Sequence, residues 1–323
     1  MTAPQQQQQR QGVPVAAPAV VAAATGVAAA GAAVITSRVA LTTAGMIAAL
    51  FAGINPYSPK EVADFAARAG QIIIGSQRTV ANAHTAAQQL ALRAVGVNVA
   101  VPVVIPDNVR GATVTFGGGM PKVHAPADTT VDYDDGRDQK IPKSDATPGR
   151  VFERAAETYR YEKSVGKDDA AAGEAAQERI SKTVDNNLIL AARLASQQTL
   201  VRAAAKDDRI IGYRRLIHPE LSKGGVCGLC VAAADRVYHV KELQPIHDRC
   251  NCSVSVVTTA HDPGHTLNQD DLDRLYVGGA TSGKELKKTR YQIVQHHELG
   301  PVLTRAEGEQ VPYLSTTPPA AAA

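Results

Sequence analysis

Apolar and small residues recur at steps of three and four along two long stretches of this chain, and that spacing predicts helices. The first begins at Ser58, where "SPKEVADF" places a serine N-cap, Pro59 at the first helical position and Glu61 three residues after the cap. Val62, Phe65, Ala69, Ile72, Ser76, Val80, Ala83, Ala87 and Leu90 then form one narrow stripe that ends near Gly96. His84 falls on the solvent or flank side of that stripe. A stripe of small residues suits helix-on-helix packing at close approach. The second helical stretch starts at about Gly149, and from Ile180 its stripe runs through Val184, Leu188, Ala191, Ala195 and Val201.

Between and after these helices the pattern changes. Residues 97–126 carry Val, Pro and Gly and read as short strands or extended connections. Residues 127–148 are polar without apolar periodicity and read as an exposed linker. After Asp208, "RIIGYRRLIHPE", "RVYHV" and "CSVSVV" alternate like strands, with "KGGVCG" as a turn. The fold class is therefore α+β, an elongated, mainly helical N-terminal part followed by a small α+β module. The expected order is an arm at 1–37, a helical domain at 38–126, the linker at 127–148, helices plus the module at 149–258, and a polar tail at 259–323. Within the tail, "DDLDRLY" and "SGKELKKTRYQIVQ" read as helical pieces.

The N-terminal region is apolar but made almost wholly of small residues. Only Arg38 is charged between Gln11 and Ile54, and residues 13–36 contain Ala, Val, Gly and Pro with no Leu or Phe. Length alone permits a membrane span, but the transfer energy of such a composition is marginal. The preferred expectation is a low-complexity, weakly helical or disordered arm, ahead of a packed helix or a membrane segment. No membrane partner is expected. The run from Val39 to Ile54 is too short to span and reads as a buried or partner-facing helix.

Composition narrows the functional classes. Aromatic residues make up 4% of the 323 residues and tryptophan is absent, so large core side chains are scarce and an elongated helical shape fits best. A formal charge of +3 without a basic run gives no footprint for nucleic acid as a main partner.

The strongest chemical signal is the cysteine distribution. All four cysteines lie between Cys227 and Cys252, spaced Cys227-x-x-Cys230, then nineteen residues, then Cys250-x-Cys252, with His247 three residues before Cys250. Disulfides stabilise short secreted chains with poor cores, which does not describe a chain with long helices and no convincing signal peptide. Zinc takes thiolate and imidazole ligands tetrahedrally, and a Cys-x-x-Cys turn presents two thiolates to one ion. A structural zinc ion is the expected cofactor, ahead of unmetallated thiols or a disulfide. Cys227 and Cys230 are the firm pair; two of His247, Cys250 and Cys252 complete the set, and the spare residue supports the site. Four protein ligands would close the ion off from substrate.

Other chemistry is thin. "HHEL" at His296 to Leu299 is no zinc-protease helix, because Pro301 stands where a second histidine is needed. His218 and His239 are read as structural. Asp132 to Asp135 could hold a divalent cation, although a solvated linker accounts for them better. No catalytic set can be assembled from spacing alone.

The run "GYRRLIHPE", Cys227-x-x-Cys230 and His247-x-x-Cys250-x-Cys252 entering a strand together resemble the MuF-like domain of minor capsid and head-morphogenesis proteins of tailed bacteriophages. "HHELGPVLT", His296 to Thr304, is similar to a segment of the actinobacteriophage members. The resemblance covers about residues 185–258, and "AADRVYH" departs from the family's usual turn. It implies a virion structural protein, made in the host cytoplasm and placed inside the capsid near the portal. Its partners would be the portal, the major capsid protein or both, with no small-molecule substrate. Members of the group also carry the label capsid maturation protease; that alternative would draw on Ser222, His218, His239 and Asp235. A zinc module that binds nucleic acid is the third reading, weakened because Lys223, Arg236, Lys241 and Arg249 interleave with Asp235, Glu242 and Asp248.

Overall fold

The computed structural model describes residues 17–100, 103–118, 120–125, 128–133, 137–221, 228–247, 250–276, 289–296 and 298–306. Its frame is three helices of 35 or 36 residues, α1 (Pro18–Ala52), α2 (Pro59–Ala94) and α4 (Asp169–Ala204), with the shorter α3 (Arg150–Ser164) packed on α2 and α4. At 1.5 Å per residue each long helix extends about 50 Å.

The starts of α2 and α4 follow from their sequences. Ser58 Oγ accepts from the backbone N–H of Glu61 at 3.4 Å, while the Glu61 carboxylate accepts from Asn55 N–H at 2.8 Å. Asp168 caps α4 by accepting from Ala171 N–H at 2.8 Å. Gly96, at φ 77°, turns the chain out of α2, a backbone state that other residues adopt only with strain.

The buried face of α2 is wider than the expected stripe. Val62, Phe65, Ala69, Val80 and Ala87 are inside, but so are Ile73, Gln77, His84, Gln88, Ala91 and Leu92, whereas Leu90 is exposed. Because α1 and α4 both pack on α2, the contact surface covers more than one row. His84 therefore does not face solvent: Thr36 of α1 gives its hydroxyl proton to Ala32 O at 2.9 Å and accepts from His84 Nε2 at 2.9 Å. Burial, with His218 nearby, lowers the His84 imidazole to about 4, so it packs as a neutral ring.

Of the expected arm, residues 1–16 lie outside the described residues, and from Pro18 the rest forms the first half of α1, which crosses the expected boundary at 37/38 without a break. Val21, Ala22, Thr25, Ala29, Ala32 and Ala33 are buried within that half. A Cβ at Gly26 would stand 2.9 Å from a Leu267 methyl, so small side chains let α1 lie close to its neighbours. By length and composition α1 could also cross a membrane; it packs instead on α2, α4 and a later helix, leaving Val20, Val27, Ile35, Leu41 and Met46 exposed.

Two antiparallel hairpins join the helical regions. β1 (Thr113–Gly117) pairs with β2 (Met120–His124), as the Val, Pro and Gly texture suggested. β3 (Thr129–Tyr133) pairs with β4 (Arg137–Ile141) where a linker was expected. The cue there was an Asp-Gly step following Thr, Val and Tyr residues, a turn and propensity signal without apolar alternation.

The C-terminal half holds an antiparallel sheet in the order β6 (Val237–Tyr238), β5 (Ile210–Leu216), β7 (Ser253–Thr258). Gly212 permits the β5–β6 contact, since a Cβ there would meet Tyr238 O at 2.4 Å. Helix α5 (Gly228–Ala234) is buried, and α6 (Pro263–Tyr276), the expected "DDLDRLY" helix, covers β5 and β7. The piece expected to be helical at "RYQIVQ" is instead strand β8 (Tyr291–His296), paired with β9 (Gly300–Arg305). Residues Leu188 to Val201 of α4 are almost wholly buried, because α4 supplies core to the bundle and to the cysteine-bearing half alike.

Candidate metal centre

Three segments bring the cysteine window together. α5 carries Cys230, and its last turn is fixed by Arg214, which donates to Ala234 O at 3.1 Å and grips the Asp262 carboxylate with Nε and Nη2. The strand before it is held by Asn268, which accepts from Ile217 N–H and donates to Arg215 O at 2.8 Å. The loop ending at His247 is clamped by β9: Ile246 donates to Pro301 O and accepts from Leu303 N–H at 2.7 Å. Cys250 and Cys252 follow just before β7, whose first residue, Ser253, pairs with Leu216 of β5.

The result is a compact donor set. His247 Nε2 lies 2.7 Å from Cys230 Sγ, and the donor atoms of Cys230, His247 and Cys250 all fall within 4.8 Å of one another. Cys252 lies beside the thiols of both Cys230 and Cys250. Cys230, Cys250 and Cys252 are free thiols. Cys227 lies outside the described residues. A tetrahedral zinc ion with ~2.3 Å bonds to sulfur separates its ligand atoms by roughly 3.5–4 Å, so small side-chain shifts would seat one here.

Electrostatics fit a cation. Hydrogen bonds from Cys230 and Cys252 hold the Cys250 thiol well below the ordinary thiol range. Cys252 is pushed up to about 12: its hydrogen bond with Cys230 favours the thiolate, but Cys250 and burial outweigh it. Without a metal, then, one thiolate suppresses the next. Arg215, fully buried, donates from Nη1 to Cys250 Sγ at 3.4 Å and from Nη2 to Pro245 O.

The remaining candidates separate cleanly. His239 is exposed, and its Nδ1 accepts from Lys241 N–H in a local turn. Ser222, Lys223, Asp248 and Arg249 lie outside the described residues. Asp235 is exposed at the end of α5. Of "HHEL", His297 lies outside the described residues; His296 Nδ1 accepts from Glu298 and Leu299 N–H between β8 and β9, and buried Glu298 takes Arg110 at 2.7 Å and Arg154. Asp132 belongs to β3.

Two arrangements escaped the sequence reading. His218 Nε2 lies 2.7 Å from Ser253 Oγ, and its Nδ1 lies 3.0 Å from the Glu220 carboxylate. Ser253 was overlooked because it sits inside an apolar strand pattern. Arg215 was overlooked as well, although two adjacent arginines within a strand were a legible oddity.

No family model, no curated protein and no solved structure matches this chain. What it defines by itself is a mixed helix and strand protein with a Cys/His group that could hold a metal ion.

Proposed function

We propose that this chain is a MuF-like minor capsid protein of a tailed bacteriophage, acting in head morphogenesis beside the portal, with a structural zinc ion in its C-terminal half. The observation that carries the metal half of this reading is the convergence of Cys230, His247 and Cys250 within 4.8 Å. A cavity borders Cys250 and Cys252, lined also by Thr36, His84, Arg193 and Ser253, with room for one or two waters. The motif resemblance carries the capsid half. The exposed apolar residues Val20, Val27 and Leu41 on one side of α1 offer a surface for the portal or major capsid protein. Arg214 and Arg236 are engaged within the module, on Asp262 and on the Tyr238 ring, which leaves them poorly placed for nucleic acid. Mass spectrometry of proheads and virions from the phage that encodes this chain should detect it far below major-capsid abundance. Its absence from both would end the proposal.

A second reading, capsid maturation protease, gains one observation. The Ser253–His218–Glu220 line has the connectivity of nucleophile, base and orienting carboxylate. Against it, Ser253 is 5% exposed and His218 7%, and hydrogen bonds between buried polar groups are the ordinary way to satisfy them. Co-expression with the major capsid protein is expected to leave that protein uncut, with or without Ser253→Ala. Cleavage abolished by Ser253→Ala and by His218→Gln would reverse the preference.

A further inference from the structure

We propose that Arg215 is the built-in counter-charge of the metal centre, a positioning residue that makes a zinc site of Cys230, Cys250, Cys252 and His247 electrically neutral. This rests on the structural-zinc reading and adds to it the residue that balances the charge of the centre.

Three observations lead here. Arg215 is among the largest fully buried side chains of the molecule. Among the described residues no carboxylate pairs with it, whereas buried Arg110 has Glu298 and Arg214 has Asp262. Its fork reaches both halves of the ligand loop, touching Cys250 Sγ with one arm and Pro245 O, two residues before His247, with the other. Its Nε has no partner among the described residues, so the sulfur side is the anionic environment this guanidinium has.

A buried unpaired charge costs several kcal/mol, so Arg215 requires an anion beside it. Three thiolates carry −3, zinc +2 and a neutral imidazole 0, which leaves −1 on the centre; one guanidinium cancels it. Without metal, one thiolate beside Arg215 is enough to balance it, while three thiolates would repel one another; zinc lets all three ionise together and leaves the −1 that Arg215 cancels. Metal and arginine therefore stabilise each other. Arg193, the other buried arginine nearby, is attracted by Cys250 but donates its hydrogen bonds to the carbonyls of Gln244, Pro301 and Leu299, so Arg215 is the one that holds sulfur directly.

The test uses the full chain purified with zinc. Metal content is measured by elemental analysis and affinity by competition with a chromophoric chelator. Wild type and Cys227→Ser should each hold one zinc, and Cys250→Ser and Cys252→Ser should lose it. Arg215→Met should bind about 10–100-fold more weakly, as supporting residues of metal sites do. Arg215→Lys keeps the charge but cannot hold sulfur and carbonyl together, and should fall between them. Should Arg215→Met fail to fold, Arg215→Lys and cobalt substitution still decide. The cobalt–thiolate charge-transfer band should report three thiolates and be unchanged in Cys227→Ser. Unaltered affinity in both arginine variants, or a four-thiolate spectrum lost in Cys227→Ser, overturns this proposal while leaving structural zinc standing. A wild-type chain that binds no zinc overturns both.

Discussion

With zinc bound as proposed, stripping it with a strong chelator, or replacing Cys250 by serine, should unlock the C-terminal half while the helical bundle stays folded. Cys250 is 1% exposed and touches every partner in the centre: the Cys230 and Cys252 thiols, His247 and Arg215. What surrounds it is modest. β6 has two residues, α5 seven, and the strands pack mainly Val, Ala and Tyr. A structural zinc ion contributes on the order of 10 kcal/mol to the folding of a small domain, and here α4 supplies part of the core independently. We expect about 5 kcal/mol of local stability to be lost over residues 210–258, a fall of roughly three to four decades in amide protection. Hydrogen exchange read by mass spectrometry should show this in β5, α5 and β7, with α2 and α3 unchanged. Uniform exchange before and after chelation would mean that packing alone holds the module.

The second large effect is expected from Glu298→Gln. Glu298 sits at the β8–β9 turn, 5% exposed, and accepts from Arg110 and Arg154 while its own carbonyl takes Gly111 N–H at 2.7 Å. Burial lowers Arg110 to about 10 even though Glu298 pulls the other way, and Arg154 and Arg179 add repulsion. Removing the carboxylate charge leaves Arg110 buried without compensation, a change that costs about 3–5 kcal/mol. Urea unfolding should register it as a lower midpoint. Arg110→Met combined with Glu298→Leu should recover much of the loss, because removing both charges removes the penalty. A Glu298→Gln midpoint within about 1 kcal/mol of wild type would show that solvent reaches this carboxylate.

How far these features were legible depends on whether their cause is local. Capping residues, a stripe of small side chains and a turn glycine act through neighbours one helical turn away, so α2 and α4 could be read directly. The Cys/His window was legible for the same reason: thiolate and imidazole in short spacings carry their chemistry with them. His84 was misplaced because its burial comes from α1, whose Thr36 is 48 positions away. Strand β8 was misread as helix because its pairing with β9 depends on the Glu298 turn, held by two arginines from distant segments.

The sequence by itself determined the long helices α2 and α4, the α+β half that follows them, and the residues from which a metal centre could be drawn. Only the tertiary structure decided which described donors meet: Cys230, His247 and Cys250, with Cys252 beside the two thiols, closed by β9 on one side and by Arg215 on the other. It also turned an apolar arm into α1, because alanine and glycine gain little burial singly and become core only where α2, α4 and α6 lie close enough to cover them. Local preference needs no partner, whereas a buried charge or a small side chain acquires its energy from what the rest of the fold places beside it.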